Sequence, residues 1–106
     1  MKPEDMAQLM ERAREMQTRM ASLQQELAAR RFEGAAGGGM VSAVVSGGLR
    51  VLEVRVEPSL LEMGDREMLQ DLTAAALNAA LHNAQATVQE ELQKAGAAFA
   101  LPTPGQ

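Results

Sequence analysis

Met6, Leu9, Ala13, Met16, Met20, Leu23 and Leu27 follow one another at alternating steps of three and four residues. That spacing holds one apolar seam toward a neighbouring helix. The residues between them are good helix formers, Pro3 suits a first turn, and Glu4 and Asp5 favour the positive end of the helix dipole. The pattern predicts one helix over residues 3–31, about 40 Å long from its rise per residue. Arg30 stands where the next seam residue would fall and ends the stripe.

The period then changes from helical to alternating. Gly34 and the run Gly37 to Gly39 break any helix and leave Phe32–Ala35 at most a short edge strand. Val41, Ala43 and Val45 alternate with their neighbours, as do Leu52, Val54 and Val56, which are expected to face inward with Glu53, Arg55 and Glu57 outward. Gly47-Gly48 between the two runs signals a hairpin, and Pro58, which cannot donate to a ladder, closes the last strand. Strands are expected within about residues 32–57.

After Gly64, Asp65 is a candidate N-cap with Glu67 in the first turn of a helix over residues 65–95. Leu69, Leu72, Ala76, Ala79 and Asn83 form one stripe of it, and Leu77, Leu81, Val88 and Leu92 a second. Two stripes imply two neighbours, and the many alanines let the helix lie close to the sheet. Asn78, isolated among alanines, reads as a buried amide bonded to the backbone. The expected fold class is α+β: long N-terminal helix, three-stranded antiparallel sheet, long C-terminal helix. One domain over residues 1–98 is followed by a flexible tail at 99–106.

Composition makes a second chain part of the picture. With two Phe, no Trp and no Tyr among 106 residues, the core rests on Ala, Leu, Val and eight Met. A domain this small removes only about two-thirds of its unfolded surface from water. A homodimer supplies the missing burial and a neighbour for the seam. Cysteine is absent, which excludes disulfides and thiolate metal sites. Neither a signal peptide nor a long apolar run is present in the sequence, so a soluble, cytoplasmic protein is expected.

The chemistry-bearing residues argue against an enzyme. His82 is the single histidine and has no partner for a metal, and Glu90-Glu91 are neighbours pointing in different directions. The Gly37–Gly39 run opens no helix and precedes no Lys-Ser or Lys-Thr, which excludes a P-loop. No cofactor or metal is expected.

Charge is unevenly spread over the formal −4. Residues 1–31 carry six basic and five acidic side chains, whereas residues 58–106 carry two and six. Arg12, Arg14, Arg19, Arg30 and Arg31 form a candidate row for the phosphate backbone, because the planar guanidinium meets phosphate bidentately. Glu11, Glu15 and Glu26 are interleaved with them, and Glu11–Arg14 and Glu15–Arg19 are helix neighbours.

Pro58, Ser59, Leu60, Leu61, Glu67, Leu69, Asp71, Leu72, Ala75, Ala76, Asn78 and Ala80, at their fixed spacing after a hairpin, resemble the YbaB/EbfC family of bacterial nucleoid-associated proteins. Gly34 and Gly47 fit the turns before and within that hairpin, and the likeness runs from residue 5 to about 95. The resemblance implies a homodimer whose sheets associate while the N-terminal helices project like tweezers. It also implies binding of double-stranded DNA with weak sequence preference, in the cytoplasm and nucleoid. The dimer contacts are assigned to Leu52, Val54 and Val56 of the last strand and Leu69, Leu72 and Ala76 of the last helix.

Relatives commonly carry basic residues in the second strand and along the last helix, where this chain has Ser42, His82, Asn83, Gln85, Gln89 and Glu91. The DNA-binding row is therefore expected on the first helix, with weak and salt-sensitive affinity. An alternative of a different class is a dimeric assembly module whose arms grip another protein, drawing on Met6, Met10, Met16, Met20 and Met40 as adaptable contacts.

Overall fold

The computed structural model describes residues 2–99. Helix α1 (Pro3–Ala29) leads into strands β1 (Arg31–Ala36), β2 (Val41–Ser46) and β3 (Val51–Val56), a short helix α2 (Pro58–Glu62) and the long helix α3 (Arg66–Phe99). The sheet is antiparallel in the order β1-β2-β3. The expected α+β architecture is present, with boundaries moved by a few residues. The tail expected at 99–106 lies, beyond Phe99, outside the described residues.

Helix α1 ends two residues early because Arg30 turns extended, with ψ 145°, and Arg31 already pairs with Ser46. Strand β1 is a full six-residue strand and not the short edge expected. Its Gly34 lies in mid-strand opposite Ala43, away from any turn. A Cβ there would collide with the Ala80 nitrogen and come within 2.7 Å of the Ala76 carbonyl oxygen. Glycine is required because the backbone of α3 runs directly against β1.

Ala76, Ala80 and Ala84 supply the other half of that contact, each fully buried at successive turns of α3. Ala76 belongs to the first stripe read from the sequence, and from it the ridge runs toward the second, with Leu69, Leu72, Leu77, Leu81 and Val88 half-buried around it. Asn83 donates from its Nδ2 to the Glu33 carbonyl at 2.8 Å, fastening α3 to the edge strand. The buried amide expected at Asn78 is not found; Asn78 is exposed. The turn from β3 into α3 is also more structured than expected, since Pro58 opens α2 and Leu60 plugs the core. Asp65 caps α3 as expected, its Oδ1 accepting from the Met68 N–H at 3.0 Å.

Helix α3 packs on β1 and β2, toward which Val41, Ala43 and Val45 point. Strand β3 lies beyond its reach. A bulge between Val44 and Val45 leaves Leu52 without an opposite residue and puts Val51 across from Val45. Leu52 and Val54, expected to be inward, are therefore 45 % and 42 % exposed, Val51 is 51 % exposed, and Val56 alone of the three expected residues packs against the core.

If the Gly34 contact sets the helix–sheet spacing, Gly34→Ala should cost about 3 kcal/mol, the upper range for overpacking a core. Gly38→Ala meets nothing within 4 Å and, at φ +67°, carries only the left-handed backbone penalty, about 1 kcal/mol. Urea unfolding followed by circular dichroism measures both, and equal costs would refute the contact.

Candidate nucleic-acid interface

The root of α1 is built by the β2–β3 turn. The Gly47 N–H donates to the Arg30 carbonyl at 2.9 Å and the Gly48 N–H to the Ala28 carbonyl at 3.2 Å. Carbonyls at a helix end, which have no partner within the helix, are thus satisfied by the turn. A Cβ on Gly47 would strike the Leu27 carbonyl, so this docking also depends on glycine. Leu27 is buried there, Leu23 and Met20 are half-buried, and burial fades toward the N-terminus until Met6, Leu9 and Met10 are exposed.

Beyond its root α1 is an arm. The molecule measures 74 × 28 × 15 Å with a radius of gyration of 21.2 Å, against about 13 Å for a compact chain of similar length. The stretch of α3 from Arg66 to Val88, whose side chain borders the docked turn, spans about 33 Å, and α1 adds about 40 Å. Together they reach about the 74 Å of the long axis, so the turns of α3 beyond Val88, on to Phe99, run beside the base of α1, which contacts α3, and the N-terminal part of α1 projects.

Arg12, Arg14 and Arg19 are exposed on this arm. Arg12 and Arg14 form no ion pair among the described residues, although Glu11 and Arg14 are helix neighbours. At about 100° per residue Arg12 and Arg19 share one side of the seam, and Arg14 sits about 160° from Arg12. Arg30 and Arg31, expected in the same row, lie at the helix–strand junction and are engaged within the chain. The Arg30 guanidinium sits 5.5 Å from the Phe32 ring centroid, and Arg31 approaches Glu53 at 3.7 Å.

That second contact belongs to a small network on the sheet face away from α3. Arg55 binds Glu53 through two hydrogen bonds, at 2.9 and 3.2 Å, while Arg31 reaches it from β1 across β2. Val44 lies beneath, opposite Glu33 on one side and Glu53 on the other, and is buried. Arg50 stands opposite Ser46, whose N–H donates to its carbonyl at 2.8 Å, so Arg31, Ser46 and Arg50 line up across the sheet. Sequence periodicity did not single out Arg50, because the turn places it and not a strand or helix pattern.

Acidic residues gather at the other end. Glu62, Asp65, Glu67 and Asp71 surround the start of α3, whose Leu72 borders Gly37 of the β1–β2 turn, opposite in the sheet to the turn that holds the arm. Helix α1 is itself mixed, Glu4, Asp5, Glu11, Glu15 and Glu26 sharing it with Arg12, Arg14 and Arg19. No group of three His, Asp or Glu among the described residues is arranged to hold a metal. None of the described helices is long and apolar enough to cross a membrane.

The dimer residues proposed from the sequence fall into two sets. Leu52 and Val54 lie on the uncovered strand β3, while Leu69, Leu72 and Val56 are half-buried and Ala76 is fully buried within the chain. Between the β2–β3 turn and α3, Gly47, Leu49, Val88 and Leu92 line a shallow groove of about 460 Å³. Leu49 holds a left-handed φ of 63° there, an unusual conformation for a bulky side chain.

Comparison with known proteins gives a consistent picture. The profile of the YbaB/EbfC DNA-binding family matches residues 1–99. A nucleoid-associated protein of Desulfotalea psychrophila is 38 % identical over 98 residues, covering 92 % of each chain. A nucleoid-associated protein of Xanthomonas campestris pv. campestris is 43 % identical over 98 residues, covering 92 % of this chain and 91 % of that one. The crystal structure of an uncharacterized protein from Helicobacter pylori superposes with a TM-score of 0.66 at 22 % identity, over 89 % of this chain and 96 % of that one, and shares its fold.

The Glu53 network has a measurable signature. Hydrogen bonds from Arg55 chiefly, then the charges of Arg55 and Arg31, hold the Glu53 carboxyl below its ordinary value, and partial desolvation works in the opposite direction. A carboxyl lowered in the folded state stabilises above its unfolded pKa, and that contribution disappears as pH falls through the folded one. Side-chain carboxyl NMR should find Glu53 titrating below the ordinary glutamate value, and Arg55→Ala should return it toward that value.

Proposed function

Because the chain belongs to the YbaB/EbfC DNA-binding family, we propose that it is a nucleoid-associated protein of the bacterial cytoplasm that binds duplex DNA through the arginines of α1. The observation that carries this reading is the arm itself, a projecting helix on which Arg12 and Arg14 stand exposed and without ion pairs among the described residues. Guanidinium groups so presented can replace condensed counterions along the phosphate backbone. Arg19 extends the Arg12 side by two turns, and Arg30 and Arg31 stand at the root. Few side chains on the arm suit base edges, Gln17, Gln24 and Gln25 being the candidates, so contact is dominated by phosphates and sequence preference is weak. The formal charge of −4 keeps long-range attraction low and the affinity modest.

The working unit is a homodimer. Val51, Leu52, Val54 and the strained Leu49 present contiguous apolar surface along an unpaired strand edge, which proteins rarely leave open to water. A second copy laid on β3 would cover it, with Leu69 and Leu72 at the margin. Two arms then extend from one body, and a duplex is held between or across them. Neither the family nor the residues of the arm suggest catalysis.

Arg12→Glu with Arg19→Glu should abolish retardation of duplex DNA in a low-salt gel shift while leaving the dimer intact; undiminished retardation would move the site elsewhere. For the wild-type chain, affinity should fall by orders of magnitude between about 50 and 200 mM salt. Light scattering should give twice the chain mass, and Val51→Asp with Val54→Asp should reduce it to one chain. A wild-type monomer would refute the dimer.

A further inference from the structure

The seam of α1 changes character halfway along. Met16, Met20 and Leu23 are half-buried and Leu27 is buried at the base, where α1 contacts α3. Farther out, Met6, Leu9 and Met10 are 57 %, 48 % and 59 % exposed, and Ala13 is exposed with them. A phosphate backbone has no apolar surface to set against this outer half. Lone exposed apolar residues need no explanation, but these lie on or beside one continuous seam.

The outer half is short enough for its flanks to decide what it fits. With Met6 and Ala13 at one seam position and Leu9 and Met16 at the other, Asp5 and Arg12 stand on one flank and Pro3 and Met10 on the other. Glu4 and Glu11 fall on the far side of the helix, and Arg14 and Glu15 also lie off the seam. Neither Asp5 nor Arg12 forms an ion pair among the described residues. Opposite charges seven residues apart on one flank are complementary to themselves when the direction is reversed. Laid antiparallel on a second copy so that Met6 faces its Leu9, the helix sets Asp5 against the second copy's Arg12, and Arg12 against its Asp5. Met10 then covers Pro3 on the uncharged flank.

Other overlaps lose this match. One heptad deeper, Arg12 meets Arg12 of the second copy; in full overlap Arg12 faces Arg19 and Asp5 faces Glu26, like against like. Those registers also draw on Met16 and Met20, which the base has already half-buried. Parallel pairing sets Asp5 and Arg12 against Met10 and Gln17 and forms no ion pair.

We propose that the outer half of α1, residues 3–12, pairs antiparallel with the same segment of a second copy, tip over tip. The overlap puts the two helix roots about 65 Å apart at the helical rise per residue, more than twice the 28 Å width of the chain. It therefore joins the arms of separate bodies. About three turns of helix on each side cover less than the roughly 800 Å² per partner of a stable interface, so each contact is weak and reversible. A two-armed dimer makes two such contacts, and its mass grows past two chains as it is concentrated. That growth rests on the dimer reading above, whereas the tip contact itself does not.

Sedimentation equilibrium of the whole protein at low salt, carried to about 1 mM to reach weak association, tests it. The wild-type mass should climb above its dilute value. Asp5→Arg alone and Arg12→Asp alone should each weaken that association by about tenfold or more, because attractive pairs become repulsive ones. An equimolar mixture of the two variants should restore it, since each then carries the charges that the other lacks. Met6→Gln with Leu9→Gln should abolish the climb and leave the dilute mass and the circular dichroism spectrum unchanged. A mass independent of concentration, indifference to the single charge reversals, or a mixture that stays apart would overturn the proposal. So would a lower dilute mass of the Met6→Gln, Leu9→Gln variant, which would assign the seam to the dimer body. A wild-type mass that climbs from one chain to two, and no longer does so in that variant, would uphold the tip contact and refute the β3 dimer alone.

Discussion

The closeness of α3 to β1 governs this molecule. Gly34 offers no side chain, Ala76, Ala80 and Ala84 offer one carbon each, and the two backbones meet across the smallest spacing that residues allow. A helix seated so tightly over one edge of a three-stranded sheet is too narrow to shade the other edge. Large side chains in place of the alanines would lift α3 and spread it over more of the sheet, at the cost of this fit. The bare strand β3 and the tight contact at β1 are thus two results of one packing choice.

The same body fixes where the arm begins. Gly47 and Gly48 close the β2–β3 hairpin and, with their N–H groups, tie the last turn of α1 to the sheet. Past that point α1 still touches α3, with Met16, Met20 and Leu23 half-buried, and only its N-terminal part stands without a layer behind it. Small residues and glycine set the close packing of the body, while Met6, Met10, Met16 and Met20 stand on the arm. The family's DNA-binding character is compatible with that division, because recognition of a phosphate backbone asks for extended reach more than for a shaped cavity.

The three-element architecture was legible in the sequence because the period changes cleanly, from heptad to alternation and back to helix. Asp65 announced the start of α3 and the seam announced α1 as one long helix with a neighbour, while its projection came only from the family resemblance; Arg12 and Arg14 stand on its surface. What the sequence concealed was close approach. Gly34 reads as a breaker in one dimension, and only the neighbouring backbone of α3 reveals it as a spacer within a strand. The bulge at Leu52 was hidden for a related reason: uniform alternation gives no sign of where a strand inserts an extra residue. Asn78 and Asn83 are equally polar in an alanine-rich helix, and the one that bonds was decided by which faced Glu33. Arg30 and Arg31 continue the basic run in sequence, yet the chain turns between helix and strand at that point, so they leave the line of the arm.

The positions of Glu62, Asp65, Glu67 and Asp71 relative to α1 bear on how the molecule travels. These carboxylates stand at one end of a molecule 74 Å long whose α1 mixes Arg12, Arg14 and Arg19 with Glu4, Asp5, Glu11, Glu15 and Glu26, so neither end is a purely positive pole. A polyanion therefore repels the chain at a distance, and the guanidinium groups take hold only inside about one screening length, roughly 10 Å at 0.1 M salt, so that salt which weakens the grip also eases the approach.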